Sequence, residues 1–167
     1  YPWADALSDF KFRSDPGWAS ALATLLRSTP WVEPALESAD LLLPMPLSAQ
    51  RLQERGFNQA QLLARALSPT KIDSGLLLRI RDTVHQTGLD RAMRMRNLRG
   101  AFAMEPLRAD VLRGKRVVLV ADVMTSGASL HTAAAVLRQA GVAHITGMVV
   151  ARTEAGRQDH AITSHHG

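Results

Sequence analysis

A run of β-branched and apolar residues, Val117–Ala121, meets one carboxylate at Asp122 and then the turn Thr125, Ser126, Gly127, Ala128, Ser129. This stretch, VVLVADVMTSGASL, constrains the fold more than any other. An apolar run without alternation reads as a strand covered on both faces, which belongs in a parallel sheet. The following SLHTAAAVLRQAG reads as a helix with Gly141 as its stop. In open parallel sheets ligands bind beyond the carboxyl ends of the strands, and Asp122 is expected at that end. Gly127 lets backbone approach a ligand closely. The helix start offers unpaired N–H groups and a favourable dipole for an anion. Thr125, Ser126 and Ser129 add hydroxyls, and Asp122 could accept hydrogen bonds from sugar hydroxyls. An ordinary strand–turn–helix with a serine N-cap is the plainer alternative. The spacing is neither that of a P-loop nor that of a dinucleotide-binding glycine motif.

The remaining pattern alternates strands with helices. Apolar spacing predicts a helix over about 17–28, and the prolines of TPWVEP punctuate its end. Residues 40–43 read as a strand buried on both faces, with Pro44 and Pro46 breaking its ladder. NQAQLLARALS reads as a helix of about ten residues, GLLLRI at 75–80 as a second core strand, and HITGMVVAR as a further one. This order implies βαβ units and an α/β fold, a parallel sheet flanked by helices. The domain is expected over residues 1–154, with 155–167 as a disordered tail.

The formal charge is +5, and of twenty basic residues only Lys11, Lys71 and Lys115 are lysines. Guanidinium forks suit phosphate, so nucleic acid, nucleotides and sugar phosphates are candidate partners. The chain has no cysteine, which excludes disulfides and fits a reducing, cytoplasmic setting. No apolar run reaches the roughly 20 residues of a membrane-spanning helix, so no membrane insertion is expected.

Two further segments carry chemistry. In PMPLSAQRLQERGFNQA, Arg51 and Arg55 are four apart and share a face on a helix. They could grip a pyrophosphate together or form a solvated face beside Glu54. Between Arg79 and Phe102 there are six arginines, at 79, 81, 91, 94, 96 and 99. This density reads either as a mobile anion-binding loop or as a helix over about 90–99 with a basic face and Met93 and Leu98 turned inward.

The turn after Asp122 resembles the phosphoribosyl pyrophosphate (PRPP) signature of type I phosphoribosyltransferases. Three patterns in order resemble the ComF family of competence-associated, phosphoribosyltransferase-like proteins. They are P-x-P-L…R-x-x-x-R-G-F-N-Q, then R-x-x-x-x-Q-x-x-L…R-x-x-N-L-x-G-A-F, then the PRPP turn. FKF at 10–12 is similar to the family's N-terminal stretch, and the likeness covers about residues 4 to 152. The four-cysteine zinc module with which many members begin is absent from these residues.

The resemblance implies a type I phosphoribosyltransferase-like fold with a central parallel sheet of four or five strands and a flexible Arg-rich loop. Asp122 matches the second acid of the family's pair and Thr125–Ser129 its 5′-phosphate loop, while Ala121 stands where the first acid is expected. Pro44, Met45, Pro46, Leu47 and Ser48 would face pyrophosphate. Arg81, Gln86, Arg94, Arg96 and Asn97 would belong to the loop that closes over the ligand. An enzyme of this kind would bind PRPP with Mg²⁺. Arg51, Arg55 and Asp122 would be its catalytic residues, with the arginines offsetting charge on the departing pyrophosphate. No residue set for a resident metal stands out, and His85 is a weak candidate base. The competing expectation is a module that binds phosphate, nucleotide or single-stranded DNA without turnover, which the loss of an acid at Ala121 favours. Proteins of the competence machinery are further candidate partners. The acceptor, the oligomeric state and the role of His160, His165 and His166 are not legible.

Overall fold

Three parallel strands make the sheet from which the site is built. In the computed structural model, residues 17–81, 92, 96, 98–124 and 127–152 are described. Strand β1 (Leu41–Pro44) pairs with β4 (Arg116–Met124), and β4 with β5 (His144–Arg152), in the order β1-β4-β5. The register runs from Leu41 against Val117 to Pro44 against Val120, and from Arg116 against His144 to Met124 against Arg152. On the outer side of β1, Ile72 makes a single parallel bridge to Leu42.

The flanking helices are α1 (Trp18–Arg27), α2 (Val32–Ser38), α3 (Ala49–Arg55), α4 (Gln59–Leu67) and α5 (Ala128–Gln139). Side chains alternate across the sheet with a period of two. Leu42, Val118 and Val120 join Leu22, Leu36 and Leu63 in one core under α1, α2 and α4. Leu43, Val117 and Leu119 join Leu112, Ala133 and Leu137 in the other, under α5. Two helix-covered faces explain why β4 needs no polar alternation over Val117–Val120.

Three expectations need revision. Leu77–Arg79 (β2) does not join the parallel sheet. It pairs antiparallel with Phe102–Met104 (β3) in a separate two-stranded sheet, and Arg79 lies opposite Phe102. The parallel sheet therefore has three strands among the described residues, not four or five. Strand β4 also does not stop at Asp122 but runs on to Met124, because β5 continues to pair with it. Finally, TPWVEP does not only end a helix but begins α2. Pro34 is tolerated as its third residue, since a first-turn N–H has no intrahelical acceptor to lose.

Of the Arg-rich segment, Ala92, Arg96 and Leu98 are helical and Leu98 is buried. This agrees with the inward position given to Leu98, whereas Met93 lies outside the described residues. The FKF stretch and the tail 155–167, with its three histidines, also lie outside them. No helix among the described residues is long and apolar enough to cross a membrane.

One ion pair fastens the connection beyond α4. Arg108 Nη2 lies 2.5 Å from Asp73 Oδ2, and the Gly75 N–H donates to Asp73 Oδ1 at 3.0 Å. Burial raises the Asp73 carboxyl, but the bonds from Arg108 and from the Gly75 amide outweigh it and hold its pKa below the usual value. A depressed folded pKa stabilises the fold above the unfolded carboxyl's value of about 3.9, and this contribution is lost as pH falls through the folded value. In urea titrations, Arg108→Gln is therefore expected to be less stable than the parent at neutral pH. The difference should close as pH falls below about 3.9.

Candidate functional site

Beyond the carboxyl ends of β1 and β4 the structure opens into a cleft of about 540 Å³. Its walls are the loop after β1, one face of α3, the start of α4, the end of β4 and the start of α5. Arg79 reaches it from β2. This is where a doubly covered parallel sheet offers a ligand site.

Ala121 and Asp122 both line the cleft, with Ala121 buried and Asp122 half-buried. Val123 and Met124 continue the wall. The lone carboxylate therefore lies within the pleated strand, not at its tip. Ala121 beside it offers only a methyl group.

The opposite rim is the start of α5. Gly127 is its N-cap, with φ +75°, and no side chain caps this end. The first-turn amides of Ser129 and Leu130 have no acceptor within the helix, and both residues line the cleft beside Ala128. Such an end favours an anion. Thr125 and Ser126, expected in the same cradle, lie outside the described residues.

The loop after β1 is tied at both ends. The Met45 N–H donates to the Val120 carbonyl on β4 at 2.8 Å. Its own carbonyl accepts from Asn58 Nδ2 at 3.0 Å. Ser48 is buried, and its hydroxyl accepts from the Arg51 N–H at 3.3 Å, capping α3. Met45, Pro46 and Leu47 line the cleft. Pro44, expected in the same loop, is instead the last, buried residue of β1.

Helix α3 places Arg51 and Arg55 on the cleft, one turn apart, with Glu54 between them. Gln50 Nε2 holds Glu54 Oε1 at 3.1 Å, and Arg55 Nη1 lies 3.4 Å from the buried Gln59 Oε1. The shared face expected from the spacing is thus present, and it faces the cleft. Arg79 is counted in the Arg-rich segment above but is given no site role of its own there. Its guanidinium lies over the Phe102 ring, 5.2 Å from the centroid, and its Nε donates to the Arg81 carbonyl at 3.2 Å. The sequence signal was a charged residue closing an apolar run, and its position depends on a pairing that residues 75–80 alone do not reveal.

The described lining carries three guanidinium groups, Arg51, Arg55 and Arg79, against the two carboxylates of Glu54 and Asp122. It is net basic and suits a polyanion. Arg81 and Arg96 are exposed and do not line it, and Arg81 Nη2 instead donates to the Arg99 carbonyl at 2.6 Å. His85, Gln86, Arg94 and Asn97 lie outside the described residues. Among the described residues no group of three or more histidines and carboxylates is placed to hold a metal ion.

Comparison with known proteins bears on this arrangement. Residues 54–164 match the phosphoribosyl transferase domain. The DNA utilization protein YhgH of Escherichia coli O6:H1 is 32% identical over 163 residues, covering 91% of this chain and 68% of that protein. Competence protein F of Haemophilus influenzae is 34% identical over 114 residues, covering 66% of this chain and 49% of that one. The solved allosteric regulatory enzyme of purine biosynthesis superposes with a TM-score of 0.50 at 20% identity, over 79% of this chain and 25% of the other. That superposition speaks for the fold alone. The family match, the identity to relatives over most of the chain and the cleft at the sheet's carboxyl edge agree: this chain belongs to the phosphoribosyl transferase domain family, in its ComF branch.

Proposed function

We propose that this domain binds PRPP in the cleft and transfers its phosphoribosyl group to an acceptor, with release of pyrophosphate. One observation carries the reading: the amino end of α5, Asp122 and the Arg51–Arg55 pair all converge on one cleft. The 5′-phosphate would sit on the α5 start with the turn before it, the ribose by Asp122, and the pyrophosphate between the 45–48 loop and the arginines. In transfer the bond from the anomeric carbon to pyrophosphate breaks and the acceptor bonds to that carbon. Arg51 and Arg55 would stabilise the negative charge gathering on the leaving group.

The donor set fits a magnesium ion that arrives on the ligand. Such an ion takes its oxygens largely from phosphates and water, and Asp122 and Glu54 are the only carboxylates on the described lining. Asp122 would be this chain's contact to it, and the ion would neutralise charge on the pyrophosphate. The names of the relatives support a role in DNA utilization and competence.

Titration calorimetry tests the reading directly. PRPP should bind more tightly with Mg²⁺ than without, at fixed ionic strength, and absence of binding at millimolar PRPP would sink it. A second reading keeps the cleft for phosphate, nucleotide or single-stranded DNA without turnover, and the methyl group of Ala121 favours it. No aromatic side chain lines the cleft among the described residues. DNA would then be held by charge without base stacking, and its affinity should fall steeply with salt.

A further inference from the structure

The Asn58 side chain joins the loop after β1 to the helix behind it. Its Oδ1 accepts from the Ala60 and Gln61 amides at 3.0 and 3.4 Å, capping α4. Its Nδ2 donates to the Met45 carbonyl at 3.0 Å. An asparagine used only as a cap needs no donor, since serine or aspartate caps as well. The amide nitrogen therefore serves something other than the helix. Met45 is also held through its N–H on Val120, so both polar groups of this residue are committed, and the peptide that follows it cannot rotate freely.

That restraint has an electrostatic meaning. A loop can turn either N–H or C=O groups toward a bound anion, and a carbonyl oxygen facing a phosphate is repulsive. With the Met45 carbonyl drawn onto Asn58, the amide of Leu47, which lines the cleft, donates to no described protein acceptor. Pro46, between Met45 and Leu47, has no N–H to offer.

We infer that Asn58 is a positioning residue for pyrophosphate recognition: it fixes the Met45 carbonyl so that the loop presents a donor to the pyrophosphate of the ligand. The inference rests on the reading that the 45–48 loop faces that group. It assigns Asn58 no direct contact with the ligand.

Asn58→Ser separates the two tasks, because serine keeps a neutral capping oxygen but has no donor placed to hold the Met45 carbonyl. Calorimetry of the full chain with magnesium pyrophosphate, PRPP and ribose 5-phosphate supplies the readout. The variant should keep its melting temperature and its ribose 5-phosphate affinity. Its affinity for pyrophosphate and PRPP should fall by about 10- to 100-fold, the usual penalty for misplacing a binding group by a fraction of an ångström to an ångström. Asn58→Thr, which puts an equally neutral capping oxygen and no amide donor on the cleft wall, should show the same split and serves if the serine variant does not fold. Equal pyrophosphate affinity in a folded variant and the parent overturns the positioning role and leaves the proposed function intact. A parent that binds ribose 5-phosphate but not pyrophosphate overturns the loop assignment and the positioning role with it. A parent that binds neither overturns the proposed function as well.

Discussion

Gly127→Val is expected to weaken PRPP and ribose 5-phosphate binding by about 100-fold or more while leaving a folded chain. The backbone at Gly127 has φ +75°, a conformation that costs an ordinary L-residue roughly 1–2 kcal/mol and a β-branched one more. A Cβ there would lie 3.2 Å from Met124 Sδ and 3.5 Å from His131 Cδ2. The thioether can yield, but the backbone angle cannot be kept at no cost. Relief comes by rotating the first turn of α5, which shifts the Ser129 and Leu130 amides at the cleft wall. Circular dichroism reports the fold and calorimetry the affinity. Unchanged affinity in a folded variant would remove the start of α5 from the site.

The second large effect is expected at Ala121, where the resemblance implies an acid. Ala121 is 7% exposed, lies against Val149 of β5 and lines the cleft. An aspartate in its place puts a second carboxylate beside Asp122 with little water and no described cation dedicated to it. Ala121→Asp should therefore lower stability by roughly 1–3 kcal/mol without ligand, the range for a poorly satisfied buried polar group. With Mg²⁺ present it should raise PRPP affinity about tenfold or more, since bonds to charged groups contribute the most. The gain should vanish with a chelator. A folded variant with no magnesium-dependent gain would show that the ribose is not held at this end of β4, and would favour the module without turnover.

Much of this fold is written locally. Helices α1, α4 and α5 and strands β1, β4 and β5 follow from apolar spacing that one segment carries by itself. Asn58 and Gly141 mark ends through their own side-chain or backbone preference. What escaped was decided by partners distant in the chain. Strand β4 outlasts Asp122 because β5 pairs with it as far as Arg152. The GLLLRI run leaves the main sheet because Phe102–Met104 offers it an antiparallel edge, and nothing in six apolar-rich residues distinguishes the two destinations.

The site divides in the same way. The position of Asp122 near the sheet's carboxyl edge, the glycine at the start of α5 and the shared face of Arg51 and Arg55 follow from local spacing, which left open whether that face met a ligand or solvent. Arg79 could not be placed in this way, since its position over Phe102 is a cross-strand contact spanning the whole Arg-rich segment. The donor role of Asn58 was equally hidden, because its acceptor lies thirteen residues away across a helix and a turn. Pro44 shows the converse error, a loop residue by composition that is a strand residue by pairing.

Two of the six methionines, Met45 and Met124, line the cleft, one after β1 and one at the end of β4. Their terminal methyl groups thus stand at two points of the ligand's surroundings, built into the chain and needing no introduced label. Isotope enrichment at methionine methyl alone would give a spectrum of six signals. Two of them should respond to a ligand from separate strand ends, so occupancy of the β1 side and of the β4 side can be read independently in one titration.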